Sequence, residues 1–165
     1  MIRQTTSNDI DSLVNLANSE LQNTNNELVC NVFKTYSYKD ITTYMYPCYC
    51  QIYVKEVDGK IVGFIKGRLD PATNVGTIDF LVVELNATNG DMWIIEMINA
   101  LAVDFRNANI PCSSIQGQLS APELNNLLNR FNFSVITIPD SGDFYFSGTC
   151  DEVISKTSDW LAQHT

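Results

Sequence analysis

Gln51-Ile52-Tyr53-Val54-Lys55-Glu56-Val57-Asp58-Gly59-Lys60-Ile61-Val62-Gly63-Phe64-Ile65-Lys66-Gly67-Arg68-Leu69 is the stretch that decides how this chain folds. Its first seven residues alternate as a half-buried strand does. Asp58-Gly59 follows, a pair suited to a type I′ turn because both central positions of that turn need positive φ. Lys60 to Leu69 then returns as an antiparallel partner. Asp70-Pro71-Ala72-Thr73-Asn74 turns the chain again. Gly76-Thr77-Ile78-Asp79-Phe80-Leu81-Val82-Val83-Glu84 reads as a third strand, apolar enough to be central in a sheet.

Downstream, Asn86-Ala87-Thr88-Asn89-Gly90 closes that strand, and a helix starts near Asp91 with Ile94, Ile98, Leu101, Ala102 and Phe105 on one face. Asn107-Ala108-Asn109 ends the helix. Ile110 to Leu119 reads as a strand, which the crossover would set parallel to the third. Ser120-Ala121-Pro122-Glu123 has capping-box spacing and predicts a helix through Leu124, Leu127 and Leu128. Phe133-Ser134-Val135-Ile136-Thr137-Ile138 and Asp143-Phe144-Tyr145-Phe146-Ser147 predict a hairpin. Asp151 is the expected cap of a last helix carrying Val153, Ile154, Thr157, Trp160 and Leu161. Upstream, Ile2 opens a short strand. Ser7 is the expected N-cap of a helix with Ile10, Leu13, Val14, Ala17 and Leu21 on its apolar side. Between Leu28 and Tyr49 the pattern predicts short helices around Leu28–Phe33 and Tyr38–Tyr44. Tyr36, Tyr38, Tyr44, Tyr46 and Tyr49 gather there, as tyrosines do when they line a cleft or cap the edge of a core.

The 165 residues suit one domain, 1–165, with a single core. A net charge of -9 and a pI near 4.4 argue against a basic face for nucleic acid. The same charge serves solubility, and it also suits a cationic acceptor such as a polyamine or a basic peptide. No apolar run approaches the ~18 residues of a membrane span. Met1-Ile2-Arg3-Gln4-Thr5-Thr6 lacks the apolar core of a secretory signal, so a soluble, cytoplasmic protein is expected. Cys30, Cys48, Cys50, Cys112 and Cys150 show no metal-ligand spacing, and His164 is the only histidine. A Ser-His-Asp or Cys-His nucleophile and a histidine-based metal site therefore find no support, and reduced thiols are expected.

This order of elements resembles the GNAT superfamily of acyl-CoA-dependent N-acyltransferases over nearly the whole chain. Tyr53 to Ile65 is similar to the family's second and third strands. The resemblance implies an α+β (α/β/α) fold: a mixed, mainly antiparallel central sheet with splayed fourth and fifth strands and helices on both faces. It implies acetyl-CoA or another acyl-CoA as co-substrate, lying in the splay. The pyrophosphate would rest on backbone amides of the turn that opens the next helix, where free N–H groups and the positive helix end attract phosphate. The matching positions are Val82 and Val83 on the strand and Asn89, Gly90, Asp91, Met92 and Trp93 in the turn. Of the family's Arg/Gln-x-x-Gly-x-Gly/Ala pattern, Ala87-Thr88-Asn89-Gly90-Asp91-Met92-Trp93 retains Gly90. Leu127-Leu128-Asn129-Arg130-Phe131-Asn132-Phe133 resembles the family's Leu-Tyr-x-x-x-Gly-Phe. Leu128, which has no proton to donate, stands where the tyrosine would be.

By the same resemblance Glu84 lies near the position of a general base for the acceptor amine. Tyr36, Tyr38 and Gln116 are candidate substrate-binding residues. The implied activity is transfer of an acetyl or other acyl group from acyl-CoA to a small-molecule or peptide amine. No metal, nucleic acid or membrane is implied, and a homodimer is compatible with the reading. The two altered signatures keep two alternatives in view. One is a GNAT-fold binding or assembly module that no longer binds CoA, and the other is a small-molecule sensor.

Overall fold

The computed structural model describes residues 1–22, 49–84, 89–119, 130–131, 133–137 and 144–165. At its centre is the expected hairpin of β2 (Tyr49–Val57) and β3 (Lys60–Asp70). Asp58 and Gly59 have φ of 50° and 78°, the two positive values that the tight turn requires. Asn74, at φ 59°, ends the next turn and delivers β4 (Val75–Val83) antiparallel to β3. β1 (Ile2–Gln4) pairs with β2 on the other side. A helix, α2 (Gly90–Asn107), then crosses back to β5 (Ser114–Leu119), which runs parallel to β4. β6 (Ser134–Thr137) and β7 (Phe144–Thr149) form the last hairpin, with β7 antiparallel to β5. The strand order is β1-β2-β3-β4-β5-β7-β6. α1 (Ile10–Gln22) precedes β2, and α3 (Cys150–His164) closes the chain.

Both sheet faces are covered, as the alternation along β2 to β4 demands. α1 buries Ile10, Leu13, Leu16 and Ala17 against Ile52, Val54, Phe64, Phe80 and Val82. On the other face α2 and α3 bury Ile94, Ile98, Leu101, Phe105 and Val153 against Ile65, Leu69, Ile78, Leu81 and Val83. Each such Val, Leu, Ile or Phe side chain contributes about 1.5–3 kcal/mol by leaving water. Two glycines bring α2 close. A Cβ on Gly67 would stand 2.6 Å from Leu101 Cδ2, and one on Gly76 would stand 2.7 Å from Phe105 Cδ2. Asn99 on α2 donates to Thr157 Oγ1 at 2.8 Å and to Ser158 Oγ at 2.9 Å, joining α2 to α3.

Three element boundaries differ from the sequence reading. Ser7 lies inside a 3-10 turn, Ser7–Asp9, that precedes α1, and Thr6 is the capping residue. The Asp9 carboxylate accepts from the Thr6 N–H at 2.8 Å while Arg3 grips both its oxygens at 2.8 and 3.0 Å. The last helix is capped by Thr149 rather than Asp151. Thr149 Oγ1 accepts from the Glu152 N–H, and the Glu152 carboxylate accepts from the Thr149 N–H, both at 3.1 Å. β5 begins at Ser114, not Ile110. Pro111 has no N–H to offer a ladder, and the Ser113 N–H is directed to the Asn74 carbonyl at 2.8 Å. The helices expected around 28–33, 38–44 and 120–128 lie outside the described residues.

Candidate functional site

The site begins with a break in hydrogen bonding. β4 and β5 pair from Val75↔Ser114 to Ile78↔Gly117 and no further, although β4 runs on to Val83 and β5 to Leu119. Beyond Ile78 the two strands part. At the same point β4 carries a bulge against β3: Lys66 pairs with Phe80 and Gly67 with Ile78, leaving Asp79 as the extra residue. The bulge reverses the facing of the strand. Ile78 belongs to the core under α2 and α3, whereas Phe80 belongs to the core under α1.

Asp79 therefore lies on the α1 face at the apex of a fork. Arg68 Nε approaches its Oδ1 at 3.2 Å. Lys66, buried on the same face, holds its Nζ 5.6 Å from the Phe80 ring centroid. Burial pushes the Asp79 carboxyl above its ordinary value, while Arg68 and Lys66 pull it back. Half-buried carboxylates with perturbed titration, set where a sheet opens, are candidates for chemistry.

The residues singled out in the sequence fall around this fork in different ways. Val82 and Val83 both point their side chains into core, one on each face, so only their backbone borders the opening. The Glu84 N–H donates to the Val62 carbonyl at 3.0 Å, and its carboxylate meets Lys60 Nζ at 2.5 Å. It lies five positions from Asp79, roughly 15 Å along a strand, too far for both carboxylates to act on one proton. Asn89 is the exposed N-cap of α2 and makes no side-chain cap bond. Gly90 is buried, Asp91 exposed, and Met92 and Trp93 half-buried, with Trp93 packed against the core below. Gln116 is exposed and pairs in register with Thr77, two residues before the bulge, which brings it to the foot of the fork. Tyr36 and Tyr38 lie outside the described residues.

Sequence reasoning passed over Asp79, Arg68 and Lys66. The available signal was a carboxylate inside an apolar run, two residues from either end of Thr77-Ile78-Asp79-Phe80-Leu81. A second polar cluster lies on the opposite face. Tyr49 donates to Asp104 Oδ1 at 2.5 Å, Tyr53 donates to Asp104 Oδ2, and Gln4 reaches the same carboxylate at 3.4 Å. Burial, with help from Asp104, raises both phenols above their ordinary value. These bonds tie β1 and β2 to the side of α2. Among the described residues no group of three or more His, Cys, Asp or Glu side chains is placed to hold a metal ion. No described helix is long and apolar enough to cross a membrane.

No family model matches this sequence, and no curated protein matches it. Solved structures do match. The chain is similar to aminoglycoside 6'-acetyltransferase type Ii, with a TM-score of 0.71 and 14% identity over 91% of this chain and 97% of that one. It is similar to spermidine N-acetyltransferase from Vibrio cholerae, solved with CoA and spermine, with a TM-score of 0.66 and 10% identity over 93% and 97%. It is also similar to ribosomal-protein-alanine N-acetyltransferase from Brucella melitensis, with a TM-score of 0.65 and 15% identity over 90% and 99%. A mixed sheet whose described strands include one parallel pair, opened between β4 and β5 and covered on both faces, is the GNAT fold, and this chain has it.

Proposed function

We propose that the chain is an N-acyltransferase that moves an acetyl or other acyl group from acyl-CoA to an amine. The observation that carries this reading is the parting of β4 from β5 beside Asp79. When bound, acyl-CoA would supply a thioester activated for attack by an amine. The backbone of Val82 and Val83 would border it. The first-turn amides from Asn89 to Met92, at the positive end of an 18-residue helix, would meet the pyrophosphate, while the Trp93 N–H is already given to the Asn89 carbonyl at 3.0 Å. An N-cap that makes no side-chain bond, followed by a buried glycine, fits that role. The exposed Asp91 opposes it by like charge, so weaker CoA binding is expected than a wholly neutral turn would provide.

An acceptor amine must lose a proton to attack, and a carboxylate whose affinity for protons is raised takes it more readily. Asp79 is supported in that role by its place at the apex of the fork, by its burial and by Arg68, which orients it. Glu84 is the second candidate, supported by its position just past β4 and opposed by its ion pair with Lys60. Gln116, at the foot of the fork, is a candidate to orient the substrate, and Tyr36 and Tyr38 keep that role from the sequence. Holding amine and thioester together supplies much of the rate in such a transfer, so Leu128 in the tyrosine position is compatible with activity. The acceptor is proposed to be cationic. The names of the similar structures include an aminoglycoside and a spermidine acetyltransferase, and a net charge of -9 suits such acceptors.

Calorimetric titration with acetyl-CoA and with free CoA tests the reading. Micromolar binding that is lost in Gly90→Leu is expected. Thiol release in the presence of a polyamine should then follow, and should drop in Asp79→Asn without loss of CoA affinity. No binding at millimolar CoA would overturn the proposal.

A further inference from the structure

Cys150 is the first residue of α3, and Cys112 lies just ahead of β5. The Cys150 N–H donates to the Ser113 carbonyl at 3.3 Å, and the next pair in register is Ser114↔Thr149. The head of α3 is thus stitched to the residue that follows Cys112. Both thiols are free, Cys150 buried and Cys112 half-buried. Cys150 lies in the core beneath α2 and α3, and Cys112 packs against that same core. Each sulfur makes a long contact to a carbonyl: Cys112 Sγ to Ser114 at 3.7 Å, and Cys150 Sγ to Ala102 at 3.7 Å. The two thiols lie close enough to perturb each other's titration in opposite directions. A disulfide needs Cα atoms within roughly 7 Å, and a backbone bond to the adjacent residue holds the pair in that neighbourhood.

We infer that Cys112 and Cys150 are a thiol pair that closes into a disulfide when the protein meets a hydroperoxide. The inference does not depend on acyl transfer. Cys150 is the attacking member. The adjacent Cys112 thiol lowers its proton affinity, burial and Asp151 oppose this, Arg106 adds to it, and its place at a helix N-terminus favours a thiolate further. Cys112 is raised by Cys150 and by its own burial, and keeps its proton. The Cys150 thiolate attacks one peroxide oxygen, the O–O bond breaks, and hydroxide leaves to take up a proton as water. Cys112 sulfur then attacks the Cys150 sulfenic sulfur, the S–O bond breaks, and the hydroxyl departs with the Cys112 proton as a second water. Two thiols and one hydrogen peroxide give one disulfide and two waters, and the two electrons lost by sulfur are those that cleave the O–O bond. The cross-link would pin the start of β5 to the head of α3, at the paired end of the β4–β5 fork, leaving Asp79 and the N-terminus of α2 untouched.

The test is oxidation of the full, reduced chain with hydrogen peroxide near one equivalent, followed by denaturing alkylation and peptide mass mapping. Cys30, Cys48 and Cys50 serve as internal controls. The expected product is a Cys112–Cys150 linked peptide, formed before the other three cysteines are lost and reversed by dithiothreitol. Cys112→Ser should stop at a sulfenic acid on Cys150 that dimedone traps. Alkylation of both Cys112 and Cys150 after the controls have oxidised would overturn the pairing. So would linkage of either one to another cysteine as the main product. A Cys112→Ser protein with no dimedone adduct at Cys150 would overturn its assignment as the attacking thiol.

Discussion

Burial works against the charged form of Asp79 where it stands. Its half-buried setting favours the neutral form, and this outweighs the opposing charges of Arg68 and Lys66. A carboxyl whose folded pKa is raised adds stability below its unfolded value and loses that contribution as pH rises through the folded value. Asp79→Asn, which cannot titrate, is therefore expected to melt at the same temperature as the parent or higher at pH 7, with the gap closing as pH falls into the carboxylate range. Melting curves across pH read this directly, and a variant markedly less stable at pH 7 would show that Asp79 is held for structure instead. Gly76 is a residue of the opposite kind. A Cβ there would meet Phe105 Cδ2 at 2.7 Å and Cε2 at 2.9 Å, and that ring is fully buried and has little room to swing. Gly76→Ala should lower stability by about 1–3 kcal/mol. Urea unfolding should show a lower midpoint with an unchanged slope.

The elements divide into those whose local pattern is sufficient and those that depend on distant partners. β2, its turn and β3 were legible because alternation and Asp58-Gly59 are both local, and both positive φ values are present. α2 was legible because its buried residues repeat at helical spacing along 18 residues. The fork was legible only through the family resemblance. Its apex residue was not, because the bulge puts Ile78 and Phe80 on opposite faces although both have even numbers, and no strand period predicts that. The start of β5 was misread because Ile110-Pro111-Cys112-Ser113 is apolar enough for a strand, yet Ser113 gives its N–H to Asn74. The head of α3 was misread with the answer in view. Thr149-Cys150-Asp151-Glu152 has capping-box spacing, and Thr149 rather than the expected Asp151 is the cap. Thr149→Ala is accordingly expected to cost about 1 kcal/mol, near the middle of the range for lost caps. Asp151→Ala should cost less, since that side chain is exposed and does not cap. Denaturant midpoints of the two variants compare them directly, and the reverse order would return the cap to Asp151.

The molecule as a whole carries -9, yet the apex of its fork pairs Asp79 with Arg68 and sets Lys66 beside them. The long-range field and the local one therefore differ in sign of action. A cationic amine is drawn toward the protein by the summed negative charge, while the cations at the apex discourage a second positive group from settling there. A polyamine would then be expected to present one nitrogen to the fork and leave its remaining charge toward the acidic surface. The distinction is measurable through salt. The Debye length falls from ~30 Å at 0.01 M to ~10 Å at 0.1 M, which screens the summed field before it screens contacts within the site. For a cationic acceptor, KM should rise with ionic strength over that interval while kcat holds. For a neutral-backbone amine of similar size, KM should change little. Equal rises for both acceptors would mean that salt acts on CoA or on the fold, and that the net charge of the chain serves solubility alone. A rise confined to the cationic acceptor would tie the composition of the surface to the choice of substrate.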